Sequence, residues 1–253
     1  TALPLAATAY EMDSSAVISN METMDKLNVM HPLLTPRCSI LDPSYTFSLP
    51  PFQTSTGTAD ILSHVLEVYF NLGDGTYMVD RMAEGLMKTC IKYGPIALDE
   101  PKNYEARANL MWCSSWAING LLSSGKTGAW SCHNIQHPMG AYYNITHGAG
   151  LALIIPHWMN YILSDKTVDK FVEYGVNVWG IDPSLEPFDI AMASIQKTFD
   201  FFRELNLPAT LGELGIGEEH FEDMAKKAVE AGLKHAYVPL NEEDVINIFK
   251  ACL

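Results

Sequence analysis

Thr58-Ala59-Asp60-Ile61-Leu62-Ser63-His64, read TADILSH, sets an acid and a histidine four residues apart inside an otherwise apolar segment. If Thr54 to Asn71 is helical, both side chains lie on one face within reach of a shared ion. A carboxylate buried in an apolar helix needs either a hydrogen-bonding partner or a compensating cation. Taken singly, such a pair is more often a hydrogen-bonded core pair than a metal site. A second cluster changes the balance. In SCHNIQHPMGAYYNITHG, His133 and His137 repeat the four-residue spacing and His147 follows. One aspartate with three histidines offers the mixed O and N set that Zn(II) or Fe(II) accepts, with a position left for substrate. Spacing alone favours His133 and His137 as the ligand pair and leaves His147 to a loop.

Outward from these clusters the chain reads as an ordinary globular one. Its 253 residues are 48% hydrophobic and 18% charged, enough apolar content for a packed core and too little charge for disorder. The formal charge of -14 would repel a phosphate backbone, so nucleic acid is not an expected partner. The longest apolar run, Gly148 to Leu163, contains Pro156, His157 and Asn160 and is shorter than the ~20 residues of a spanning helix, so no membrane span is expected. Five cysteines without a CxxC pair suit reduced thiols and a cytoplasmic location better than a disulfide framework. The start lacks an initiating Met and a basic signal region, as an interior position of a longer chain would.

The first 45 residues have a β texture. Ala16 to Ser19 and Leu27 to Met30 flank a polar segment as in a hairpin, and Cys38 to Leu41 is a third such run. From Thr54 the apolar spacing becomes helical, with breaks at NLGDGTY, SSGKTG, YYNITHG and IDPSLEP, which predicts about eight helices. Asn241 followed by three acids reads as a helix start, and Phe188, Ala191, Ile195, Phe199 and Phe202 form a core-facing stripe. Trp130, Tyr142 and Tyr143 fit either the lining of a pocket or plain core.

The blocks SILDPSYTFSLPPFQTSTGTADILSHVLEVYF and SCHNIQHPMGAYYNITHGAGLALIIPHWM, with FFRELNLPATLGELGI and PLNEEDVINIF, resemble the iron-containing (group III) alcohol dehydrogenase family, in its butanol dehydrogenase and aldehyde reductase branch. The resemblance runs the length of the chain. It implies a mainly α architecture: a multi-helical metal-binding and substrate domain of the dehydroquinate synthase-like fold over 46–253, preceded over 1–45 by a hairpin-containing remnant of the N-terminal α/β nucleotide-binding domain. It further implies a divalent metal, Fe(II) or Zn(II), held by Asp60, His64, His133 and His147. His137 then moves beside the nicotinamide and substrate as the candidate proton relay, a role suited to a histidine titrating near neutrality. Hydride exchange between NAD or NADP, with a lean to NADP, and a short alcohol or aldehyde is the implied reaction, and a homodimer the implied assembly.

Two departures stand against this. No GxGxxG or equivalent glycine cluster is present to cradle a pyrophosphate. Where the family typically has TGSE beside the nicotinamide, this chain has Thr8-Ala9-Tyr10-Glu11, so Thr8 and Glu11 remain as cofactor-binding candidates while Tyr10 crowds the approach. The alternative expectation is a non-catalytic helical fragment or oligomerisation module stabilised by its metal cage. A metal hydrolase ranks below both, because no independently placed general base accompanies the ligands.

Overall fold

Pro50 and Pro51 fix the backbone for a helix start, and the helix they open, α1 (Pro51–Tyr69), is buried at every position from Thr54 to its end. A helix surrounded on all sides needs other helices to cover it. In this computed structural model, which describes residues 1–7 and 10–253, α1 is covered by α2 (Tyr77–Asp99), α3 (Tyr104–Ile118), α4 (Ser131–Tyr143) and α5 (His147–Ile162). The apolar run read from the sequence is α5, the other nearly enclosed helix, packed along α1. A second group comprises α6 (Val168–Trp179), α7 (Pro187–Glu204), α8 (Phe221–Glu230) and α9 (Glu242–Ala251). Among the described residues no helix is long and apolar enough to cross a membrane.

The hairpin is present as β1 (Ser15–Asn20) paired antiparallel with β2 (Asp25–Met30), Ser15 opposite Met30 and Asn20 opposite Asp25. It packs on α4 through β2, and Lys227 of α8 donates to the Thr23 carbonyl at 3.0 Å and pairs with Asp25. Cys38 to Leu41 does not extend this sheet. Ile40 instead forms an isolated parallel bridge with Ala2.

Nine α-helices occur among the described residues, one more than the expected eight. The four breaks read from glycine and proline clusters all fall between helices, but the α2–α3 junction carries no such cluster. There the Asn103 side chain accepts from the Ala106 amide at 3.0 Å and starts α3. Arg107 then ties three helices together, donating to Thr54 Oγ1, the Ala97 carbonyl and the Pro101 carbonyl. The stripe on α7 is corrected as well. Ala191, Ile195 and Phe202 are buried, but Phe188 is 43% exposed, and Ile190 and Phe201 take core positions. The Asn241 start is a capping box with Asp244.

Asp80 on α2 bridges Lys126 at 2.5 Å and Lys170 at 2.8 Å. Burial pushes its carboxyl up, but hydrogen bonds and charge from the two lysines outweigh that and hold it below the ordinary carboxylate range. A depressed folded value stabilises the fold above the unfolded value near ~3.9, and that stability is lost as the pH falls through the folded one. Asp80→Asn is therefore expected to cost about 3 kcal/mol at pH 7 in denaturant unfolding. The gap from the parent should narrow below about pH 4; an equal gap at pH 7 and pH 2.5 would contradict the linkage.

Candidate metal centre

Asp60 and His64 sit one turn apart on α1, His133 and His137 one turn apart on α4, and His147 opens α5. The spacing reading that left His147 to a loop is corrected, because Asn144 takes a left-handed conformation at φ 53° and ends α4, so the chain turns back and His147 becomes a helical residue. Close contact of α5 with α1 brings it to the acid. A Cβ on Gly148 would lie 2.0 Å from the Thr56 carbonyl oxygen, so only glycine allows that approach.

The three helices converge on one point. Donor atoms of Asp60, His133 and His147 all lie within 4.8 Å of one another. Asp60 Oδ1 is 3.6 Å from His147 Nε2 and 3.9 Å from His64 Nε2. His64 stands beside this trio, its ring stacked on His133 with centroids 4.9 Å apart and planes at 19°. His137 is farther out, 6.2 Å from the His133 ring and 5.5 Å from the His147 ring.

Burial sets the electrostatics. It raises the Asp60 carboxyl, with His64 and Lys26 opposing, and it lowers His133 and His147, which neighbouring histidines and Lys26 lower further. His137 falls to about 4, from burial first and Lys26 second. The expected titration of His137 near neutrality is therefore corrected: in this surrounding it is a neutral imidazole at pH 7.

Asp60 Oδ1, His64 Nδ1 and His133 Nε2 are buried yet make no hydrogen bond among the described residues. Buried polar groups left so are rare, and one cation would satisfy Asp60 Oδ1 and His133 Nε2 together, whereas His64 faces the aspartate with Nε2 and not with the unpaired Nδ1. Atoms sharing one ion at about 2.0–2.2 Å come within about 4 Å of each other, a condition Asp60 Oδ1 meets with His147 Nε2 at 3.6 Å and His64 Nε2 at 3.9 Å, while His133 stands within 4.8 Å of Asp60 and His147. One carboxylate with imidazoles is also an appropriate donor set, so the residues fit a divalent metal.

Three further residues adjoin the site, none of them singled out from the sequence. Glu67 follows His64 on the same face of α1 and accepts from the His133 amide at 2.8 Å. Burial pushes its carboxyl up to about 8, against the backbone hydrogen bonds of His133, Ser131 and Cys132. Its spacing from Asp60 and His64 was a legible signal. Gln136 Oε1 is hydrogen-bonded to His147 Nδ1. Lys26 of β2 is half-buried near Gly140, and no local pattern points to it because only docking of the hairpin brings it there.

The other candidates lie apart. Glu11 is buried with its carboxylate accepting from Ser115 on α3, Tyr10 donates to the Ala2 carbonyl at 3.0 Å, and Thr8 lies outside the described residues. Trp130 borders the cluster, 4.9 Å from His133 and 5.5 Å from His64 between ring centroids. Tyr142 and Tyr143 stack on His220 instead. Tyr143 also lines a cleft of about 680 Å³ with Phe52, Ile145, Thr146 and Leu214, which includes none of the clustered residues.

The profile of the "Fe-containing alcohol dehydrogenase family, C-terminal" matches residues 54–253. NADH-dependent butanol dehydrogenase A of Clostridium acetobutylicum is 54% identical over 250 residues, covering 98% of this chain and 64% of that protein. The NADPH-dependent aldehyde reductase YqhD of Escherichia coli is 35% identical over 91% of this chain and 59% of that protein. The chain thus spans less than two thirds of the length of these relatives. Its structure superposes on that of Escherichia coli YqhD with a TM-score of 0.94 at 32% identity, over 100% of this chain and 65% of the other. For the Thermotoga maritima NADH-dependent butanol dehydrogenase A the values are 0.92 and 35%, over 99% and 65%. The chain belongs to the Fe-containing alcohol dehydrogenase family and carries that family's C-terminal domain.

Proposed function

We propose that this chain is the metal-binding, substrate-side part of an NAD(P)-dependent alcohol dehydrogenase or aldehyde reductase acting on short aliphatic substrates, with residues 1–45 belonging to the nucleotide-binding half and 46–253 forming the helical domain. The observation that carries the reading is the convergence of Asp60, His133 and His147, with Asp60 Oδ1 and His133 Nε2 buried and unpartnered among the described residues. The names of the relatives supply the substrate class. When bound, a divalent ion supplies Lewis acidity and a nicotinamide the redox equivalents.

The chain's own residues do the rest. Asp60, His64, His133 and His147 hold the ion, and the aspartate supplies the negative charge that favours it. Trp130 borders the cluster beside His133 and His64. His137, neutral and one ring away from His147, accepts or passes a proton at its imidazole nitrogens.

Metal content of the purified chain is the first test, with about one Fe(II) or Zn(II) per chain expected and none fatal to the reading. Activity is measured as NADH or NADPH oxidation with butanal, in the protein extended through whatever coding sequence precedes Thr1. The ratio of the two rates decides the cofactor. A second reading, a metal-stabilised module without catalysis, draws on Glu11 being taken up by Ser115 and on Tyr10. It predicts metal-dependent stability with no nicotinamide binding, so a saturable cofactor titration removes it.

A further inference from the structure

Glu67 is 4% exposed and lies between two helices that bring residues to the cluster. Its Oε1 accepts from the His133 amide at 2.8 Å and stands 3.2 Å from His133 Nδ1. Trp130, the residue before α4, offers no side-chain cap, and this carboxylate from α1 takes up the His133 amide of the first turn of α4. The same atom faces the ring. Oε1 already receives the amide; with Glu67 ionised, or with its proton on Oε2, Oε1 only accepts, so the hydrogen between it and the imidazole belongs to Nδ1. Nε2 is then bare, and it is the atom that is buried with no partner among the described residues.

We propose that Glu67 is the positioning residue that fixes the tautomer and orientation of His133, holding Nδ1–H on its carboxylate and leaving the Nε2 lone pair turned into the space shared with Asp60 and His147. Only the identity of that space as a metal site rests on the function proposed above. A carboxylate that receives the second ring nitrogen of a ligand histidine sets its orientation and raises its basicity. Here it also locks α4 to α1, so the distance between the Asp60 and His133 donors is fixed by the residue that fixes the tautomer.

Long-range ¹H–¹⁵N spectra of the histidine-labelled, metal-free 253-residue chain read the protonated nitrogen directly. His133 is expected as Nδ1–H. Finding Nε2–H in the parent protein overturns the proposal, whether or not any variant folds. Glu67→Gln keeps an acceptor of the same shape and is expected to keep Nδ1–H. Glu67→Met removes the acceptor, releases the ring to Nε2–H, and weakens Zn(II) binding about 10–100-fold in competition with a chelating dye, with most of the loss recovered in the Gln variant. A carboxylate that only caps α4 would lower the melting temperature of Glu67→Met and leave its tautomer and Zn(II) affinity unchanged, which overturns the assignment. If the parent chain binds no Zn(II), the metal reading fails, and the tautomer measurement still decides the role of Glu67.

Discussion

Asp60→Asn is expected to weaken divalent metal binding by more than the ~100-fold at the upper end for residues that only support a ligand, while leaving the metal-free fold as stable as the parent or more so. The two effects have opposite signs because they come from one charge. Asp60 is 3% exposed, burial raises its carboxyl, and its Oδ1 has no hydrogen-bond partner, so without an ion it is an uncompensated cost that the isosteric amide reduces. With metal at 100 times its dissociation constant, the parent gains about 2.7 kcal/mol that the variant cannot reach. Denaturant unfolding of both proteins with chelator and with Zn(II) measures all four quantities. A core pair with histidine predicts the reverse pattern, loss of stability in chelator and no response to metal, and that pattern would remove the metal centre.

Gly148→Ala should be among the most damaging single-methyl changes in the chain. The added carbon would stand 2.0 Å from the Thr56 carbonyl oxygen, a backbone atom of the central helix that cannot step aside alone. Helix α5 must shift from α1, at a cost of about 3 kcal/mol for overpacking. The residue before it is His147, so the displacement also pulls a donor from Asp60 and should lower metal affinity in whatever fraction folds. Gly85, helical and exposed on α2 with nothing within 4 Å of an added Cβ, is the control. Gly85→Ala should stabilise by roughly 0.5–1 kcal/mol through helix propensity, with metal binding unchanged. Equal behaviour of the two substitutions would deny the close approach of α5 to α1 any role in assembling the site.

Much of this molecule was legible in its residues. Two β-type runs about a polar segment predicted the hairpin, and three-to-four apolar spacing predicted the helical remainder. The spacing of Asp60 and His64 placed them on one face of α1 for the same reason, and Glu67 on that face could have been read with them. The stripe read on α7 held at Ala191, Ile195 and Phe202 and failed at Phe188, because helical period fixes the width of a stripe better than which edge is covered.

Sequence by itself therefore determined which residues share a helix face and where most helices break. Tertiary structure decided which of those faces meet. His147 reaches Asp60 because Asn144 turns the chain and Gly148 lets α5 press on α1; His137, equally well spaced from His133, points to a more distant position on the same helix. Lys26 arrives from a hairpin docked on α4, and Glu67 spans two helices. Periodicity is a property of neighbours along the chain, whereas a donor set is a property of distances between separate helices, and those distances are fixed by packing.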